Sequence, residues 1–527
     1  MQAPTLNTPE FSTWRSYLWP IHRHELKKLV PMLFIFFLIS FSYNVLHTLK
    51  DTLVTTARDS GAEAIPFIKV WAMFPGAVLM TFLFTRLSNR VSREKVAYII
   101  LSIFLGYFFI FAFFLYPARH SLHPHELADS LQAVLPVGFK GAVAMFRNWT
   151  FTGFYVMSEL WSNIILSLLF WGFANQITRV SEAKRFYGLF GIGTNISGVA
   201  AGIATAHFSQ GHFNPDLPFG DDAWSQSMTI LLSLVIISGV GAMFLFRWMN
   251  KNVLSDPLYY DNQLKNQEKA MKGKLSLRDS FSYLVRSKYL ISIAVIVLSY
   301  NIVINLVEIL WKHEAREMYP DPNALTAYMG GVKTWIGVLA TLSALLISGN
   351  SIRKCGWTFT AMITPAILLI TSIGFFGFFF LKGHQDLLSG LSYAPAFLAN
   401  MTPLALVVFF GSAQNVLSRS AKYTVFDATK EMAFVPLSAE SKMKGKAAID
   451  GICSRMGKSG GSVIHQTLLV AFGSFAASAP FIAAALFGIL IVWAVAIRTV
   501  GPKFVEMTAP VKEPMPVRDP VLAEQRA

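Results

Sequence analysis

Ser42-Tyr-Asn-Val-Leu-His-Thr-Leu-Lys-Asp-Thr-Leu-Val-Thr-Thr-Ala-Arg58 closes the first long apolar run of the chain. A relative returns half a chain later as Ser299-Tyr-Asn-Ile-Val-Ile-Asn-Leu-Val-Glu-Ile-Leu-Trp-Lys-His-Glu-Ala-Arg316. Both copies open on Ser-Tyr-Asn and close on Ala-Arg, and the second is one residue longer. Counted back from the closing arginines, which lie 258 residues apart, Lys50 falls opposite Glu308. The same offset relates Glu182 in Ser181-Glu-Ala-Lys-Arg185 to Glu440 in Ser438-Ala-Glu-Ser-Lys442. One offset shared by two distant places points to duplication. The duplicated helix carries charge where charge is expensive.

The surrounding composition says where that is. Of 527 residues, 54% are hydrophobic and 14% charged, against roughly 25% charged in soluble domains. This is the composition of a membrane protein. Twelve stretches have the roughly 20 apolar residues that a spanning helix needs: 30–49, 65–84, 96–116, 151–177, 186–207, 226–248, 289–311, 325–350, 358–381, 399–426, 446–471 and 475–498. The net charge of +15 would suggest nucleic acid in a soluble protein. Here it follows from basic loops on the cytoplasmic side, and no nucleic-acid partner is expected. The connections on the N-terminal side hold 31 of the 45 Lys and Arg, and the opposite connections hold 8. Both termini are therefore expected in the cytoplasm.

The expected fold is an all-α polytopic membrane protein with twelve transmembrane helices in two homologous six-helix halves, major-facilitator-like, with a midplane site between the halves. The expected divisions are a cytoplasmic segment 1–29, an N-terminal half 30–248, a Lys-rich linker 249–288, a C-terminal half 289–498 and a Pro-rich tail 499–527.

Ionisable residues inside a bilayer cost several kcal/mol and mark sites by default. Tyr43, His47 and Lys50 lie on one helical face, as do Asn301, Asn305, Glu308 and Lys312. The bland alternatives are that Lys50 snorkels from a helix end and that Glu308 merely pairs with Lys312. Glu159 shares a helix side with Tyr155, Ser162 and Asn163, so its partner must come from another helix or from substrate. The tenth stretch carries Arg419 and Lys422 three residues apart, which repel unless an anion lies between them. Lys333 is similarly deep, whereas Lys69 and Arg455 read as structural. Lys446 and Asp450 make an i,i+4 pair. Gly457-Lys-Ser-Gly-Gly461 is no phosphate loop, because position 452 is isoleucine and no strand precedes it. Its glycines suit close helix contact.

His120, His123 and His125 in the loop at 117–150 read as solvated rather than metal-binding. Cys355 and Cys453 provide neither disulfide framework nor metal spacing, so no cofactor is expected. The interior charges are mainly cations, which suits a multiply anionic solute such as an organophosphate.

Four strings now carry a family resemblance: Leu49-Lys-Asp-Thr-Leu-Val-Thr-Thr-Ala57, Ser158-Glu-Leu-Trp161, Lys422-Tyr-Thr-Val-Phe-Asp-Ala-Thr-Lys-Glu-Met432, and Lys444-Gly-Lys-Ala-Ala-Ile-Asp450 with Gly457-Lys-Ser-Gly-Gly461. From Trp19 to about Arg498 the chain resembles the ATP/ADP translocases of chlamydiae, rickettsiae and plastids. The resemblance implies exchange of ATP for ADP without hydrolysis across the inner membrane of an intracellular bacterium, with phosphate as a further candidate cargo. It implies transport roles for Lys50, Glu159, Glu308 and Lys446, with Lys458 the rival to Lys446 in the same stretch. Where the family pattern reads Arg-Asp-Thr-Lys-Asp, this chain has His47-Thr-Leu-Lys-Asp51, a change of charge near the site that leaves nucleotide preference open. The alternatives are a proton-coupled importer using Glu159 or Glu308, a membrane enzyme, for which no catalytic motif is present, and a receptor, which needs no such interior charge.

Overall fold

The computed structural model describes residues 21–209, 211–256, 259, 287–346, 350–382, 401–438, 441, 445–446 and 448–508. Among them every regular element is a helix, as a chain in hydrocarbon requires, because no water is there to satisfy exposed backbone groups. Nine helical segments are long and apolar enough to cross a membrane: Arg23–Thr56, Ala64–Ser88, Glu94–Leu115, Trp149–Ile177, Arg185–Phe208, Ala223–Asn252, Lys288–Met318, Cys355–Leu381 and Phe475–Thr508. These are the first to seventh, ninth and twelfth expected spans. Helices also occupy the eighth (Pro322–Leu346), the tenth (Pro403–Ala421, continuing to Ala433) and the eleventh (Ile449–Cys453 with Ser454–Phe472). These three hold Lys333, then Arg419 and Lys422, then Arg455 and Lys458, and are correspondingly more polar.

Local chemistry sets several ends. Asp222 caps the sixth span by accepting from the Ser225 amide at 2.6 Å, and Thr402 caps the tenth ahead of Pro403, a normal place for proline. The twelfth span runs ten residues past its expected end, to Thr508. The linker at 260–286, the Glu440 and Lys442 counterparts in the second repeat, and the tail at 509–527 lie outside the described residues.

The helices are not uniform. The fourth span changes to π-helix over Trp161–Phe170 and the tenth over Lys422–Phe426. Moving the first segment along by the 258-residue offset places it over 419–428, which encloses the second. The duplication is thus visible in backbone geometry. Further π segments occur at Ile68–Met73, around Lys69, and at Ile449–Cys453. Such stretches mark functional sites more often than chance would give.

Each half packs its own apolar cluster, one built from Leu29 to Val253 and the other from Tyr289 to Phe504, with Val54, Ile65, Ile68 and Tyr155 of the first half embedded in the second. The closest seam between halves is the fifth span against the eighth. A Cβ added at Gly202 would lie 2.3 Å from Thr334 Oγ1 and 2.5 Å from the Gly330 carbonyl, and one at Gly337 would lie 2.6 Å from the Asn195 carbonyl. Backbones that close admit only glycine. At the far face, opposite the start of the first span, Gly138 of the 117–150 loop packs directly on the backbone of Leu469 and Val470 in the eleventh span. Gly202→Val should therefore cost about 1–3 kcal/mol through overpacking, read as a lowered Tm in detergent. Gly172→Ala, where a Cβ meets nothing within 4 Å, should leave Tm unchanged or raised.

Candidate functional site

The charges of the repeated helix are organised by buried ion pairing, which is favourable only when every member finds a partner. Lys50 Nζ lies 2.8 Å from Asp51 Oδ1 and 3.0 Å from Glu159 Oε1, and sits over the Tyr155 ring at 4.0 Å. This joins the first span to the fourth. In the second half, Glu308 joins the seventh span to the tenth: its carboxylate lies 2.9 Å from Lys312 and 2.9 Å from Arg419 Nη2. Equivalent spans are thus bridged in both halves with reversed sign. The first half has its cation on the leading helix, and the second has its anion there.

Lys50 and Glu308, the equivalent positions of the two repeats, do not pair with each other. The link between halves is Asp51 to Lys312, at 2.9 Å. It completes an alternating chain: Glu159, Lys50, Asp51, Lys312, Glu308, Arg419. Among the described residues this is the one ion pair that crosses between halves. Beside it Thr326 donates to Thr52 Oγ1 at 2.9 Å. Asp51 and Lys312 are both buried, with side chains 2% exposed.

The polar stripes of the sequence give no sign of Asp51's role, and they place Lys312 on the interior polar face of the seventh span without assigning it a partner in the other half. Helical periodicity hides Asp51, because i and i+1 point to different faces. The available signal was an adjacent Lys-Asp pair within an apolar span.

A narrow crevice of about 20 Å³ lies beside this chain, lined by His47, Asp51, Glu308, Lys312, Lys333 and Arg419 among others. His47 Nδ1 lies 3.5 Å from Asp51 Oδ2. Among the described residues Lys333 has no carboxylate within ion-pairing distance, and it feels the charges of Arg419, Glu308, Asp51 and Lys50. Lys69, read from sequence as structural, donates to Asn305 Oδ1 at 3.4 Å, while feeling Lys312, Glu308 and Glu159. Lys458 is exposed and has no ion-pair partner among the described residues, and is within electrostatic reach of Lys422, Glu159 and Arg419. The three carboxylates of the chain are matched by its three cations. Lys69, Lys333 and Lys458 are therefore surplus.

Other expected site residues lie elsewhere. Lys446 pairs with Glu431 at 2.5 Å, and Asp450 with Lys430 at 2.9 Å, so the anticipated Lys446–Asp450 pair gives way to a separate, half-exposed cluster. Lys458, not Lys446, is the lysine of the eleventh span that approaches the central charges. Lys422 leans on Asp427 at 3.5 Å. Tyr155 is buried, its hydroxyl unpartnered. Asn163 falls in the π stretch and makes no hydrogen bond; that stretch shifts its phase relative to Glu159.

His47, Asp51 and Glu308 offer ligand atoms within 4.8 Å of one another. Lys50, Lys312 and Arg419 already neutralise those carboxylates, so the donor set does not suit a cation. The loop histidines are structural in part: His123 is buried, pairs with Thr150 Oγ1 at 2.6 Å and stands edge-on to Phe151.

A multi-pass, all-helical fold of two packed halves, with a balanced ion chain and surplus cations at their junction, defines a secondary transporter of major-facilitator-like build. Two solved structures match it over nearly their whole length. A POT family transporter in complex with 5-aminolevulinic acid aligns at TM-score 0.52 and 10% identity, covering 90% of this chain and 96% of that one. A bacterial homologue of the iron transporter ferroportin, in an inward-facing state, aligns at 0.50 and 12%, covering 93% and 99%. Residues 5–504 match the TLC ATP/ADP transporter family, and the chain belongs to that family. It is 48% identical to ADP,ATP carrier protein 1 of Chlamydia muridarum, over 92% of this chain and 89% of the relative. It is 45% identical to ADP,ATP carrier protein 1 of Chlamydia pneumoniae, over 95% of each, and 41% identical to the chloroplastic ADP,ATP carrier protein 2 of Arabidopsis thaliana, over 91% and 75%.

Asp51→Asn leaves Lys50 and Lys312 each short of a carboxylate and should cost about 3–5 kcal/mol. Asp51→Asn with Lys312→Met should recover part of it, a coupling that a thermal-unfolding double-mutant cycle measures. A second expectation concerns the loop. Burial, then the charges of His125, His120 and Arg119, hold the His123 pKa down at about 4 against an ordinary 6.5. The unfolded chain binds that proton more readily. The stability contributed by the neutral ring is therefore complete above pH 6.5 and lost as pH falls to about 4. Hydrogen exchange of residues 117–150 should rise across that window, and His123→Gln should flatten the rise.

Proposed function

We propose that this protein exchanges ATP for ADP by alternating access, without hydrolysis, across the inner membrane of an intracellular bacterium, with both termini in the cytoplasm. The supporting observation is the combination of a charge-balanced chain with surplus Lys69, Lys333 and Lys458 beside it. The chain ties the halves together through Asp51 and Lys312 near the ends of the first and seventh spans. The surplus cations have the charge that a nucleotide polyphosphate would neutralise. The naming of relatives as ADP,ATP carriers supports the nucleotide class, and the loop-charge asymmetry of 31 to 8 supports the orientation. Two halves, 30–248 and 289–498, move about this junction in the proposed cycle, with 249–288 as their tether.

Strict exchange has an electrostatic logic in this reading. An empty site leaves unpaired cations that are costly to carry through a dry, occluded state. Bound phosphates remove that cost, so loaded states return and empty ones do not. Phosphate alone is a poorer match to three separated lysines. A proton-coupled cycle fits less well, since Glu159 and Glu308 are each already engaged in ion pairs, with Lys50 and with Lys312 and Arg419.

Uptake of labelled ATP into liposomes preloaded with ADP, with other nucleotides or with nothing is the decisive measurement. Stimulation by internal ADP or ATP is expected; uptake into empty liposomes driven by an imposed proton gradient would overturn the reading. Lys333→Ala and Lys458→Ala should each raise the KM for ATP about tenfold to a hundredfold, the loss of a charge-assisted hydrogen bond of about 1.5–3 kcal/mol. Lys446→Ala should change it far less.

A further inference from the structure

The first half contains a second cavity that the nucleotide pathway does not use. It holds about 250 Å³, a little below the roughly 300–1,000 Å³ of ordinary ligand pockets. Its walls come from the first, second, third, fourth and sixth spans, and Ile39, Phe84, Leu101, Leu169, Phe173 and Phe246 give it an apolar surface. Nothing in it would recognise a phosphate or a ribose. Its other lining residues include Ser88, Val96 and Ala97, which lie where the second span ends and the third begins. That places its mouth at the face where the first span starts.

The mouth is cationic. From Arg86 to Lys95 the sequence reads Arg-Leu-Ser-Asn-Arg-Val-Ser-Arg-Glu-Lys, four basic residues to one acid. Arg86, Arg90, Lys95 and, beside Phe246, Arg247 are exposed and form no ion pair among the described residues. Glu94 is occupied in accepting from the Tyr98 hydroxyl at 3.1 Å. An apolar chamber at membrane depth beneath an unpaired basic rim matches one chemistry: an acyl chain joined to an anionic headgroup.

We propose that this cavity binds an anionic phospholipid from the adjoining leaflet, with an acyl chain inside and the headgroup on Arg86, Arg90, Lys95 and Arg247. The site has a structural connection to the transport chain. Its wall includes Ile165, Leu168, Leu169 and Phe170 of the π stretch that begins two residues after Glu159. Trp161 of that stretch donates its indole N–H to the carbonyl of Ile39, another wall residue, at 3.0 Å. The bound lipid braces the fourth span against the first just below the Lys50–Glu159 pair.

The full-length protein, purified in detergent, is titrated with phosphatidylglycerol or phosphatidylcholine and followed by native mass spectrometry and thermal unfolding. The expected result is retention of phosphatidylglycerol at least tenfold above phosphatidylcholine, with a raised Tm. Arg86→Gln with Arg90→Gln and Lys95→Gln should abolish that preference. Gly172→Leu, whose Cβ enters open space, should lower retention of both lipids, and Ala97→Phe serves the same purpose should that variant fail to fold. Equal retention of the two lipids, or retention of phosphatidylglycerol indifferent to both the rim and the cavity-filling changes, would overturn the proposal. The readout is lipid binding, so either result leaves nucleotide exchange untouched.

Discussion

Charge buried in a membrane protein must be paired, and here the whole junction is arranged around that constraint. An unpaired lysine or carboxylate in low dielectric is costly, and a matched pair roughly breaks even. Six groups from four helices meet the constraint by alternating sign: Glu159, Lys50, Asp51, Lys312, Glu308 and Arg419. Removing any inner member leaves two neighbours undercompensated. The chain therefore behaves as a unit, and it ties the two halves together at one point, Asp51 to Lys312.

Duplication explains how such a chain arose within one polypeptide. Each half uses its first and fourth helices to hold an ion pair, and each fourth helix contains a π stretch in the same register. The ancestral geometry is kept while the charges are exchanged: Lys50 and Glu159 in one half, Glu308 and Arg419 in the other. A symmetric pair of like-charged sites would repel across the junction. Inverting the sign removes that repulsion and allows the two pairs to be joined end to end.

Outside the chain, the glycine-lined seam of the fifth and eighth spans lets backbones approach without interlocking side chains. Surfaces of that kind can separate and re-form at low cost, whereas interdigitated aromatics cannot. In the proposed cycle the binding charge lies elsewhere, on Lys69, Lys333 and Lys458, which pair with no carboxylate among the described residues. In that reading structural charge is balanced internally and functional charge is left unbalanced, and this division distinguishes the two sets of cations.

The all-helical class, the duplication and the presence of interior charge were legible in the amino-acid sequence, because apolar run length and helical periodicity are local properties. So were Lys50, Glu159, Glu308 and Arg419 as members of a central set. Partner choice was not legible. Asp51 sits one residue from Lys50 and looked away from the polar stripe, yet it holds the halves together. Lys446 matched a motif but packs with Glu431 in a peripheral cluster, and Lys69 looked dispensable until the second and seventh spans were seen together. Sequence determined which helices carry charge. Only the tertiary structure decided which charges neutralise one another, because that depends on distances of 3 Å or so between helices more than a hundred residues apart, and Coulomb energy in a low dielectric is set by those distances.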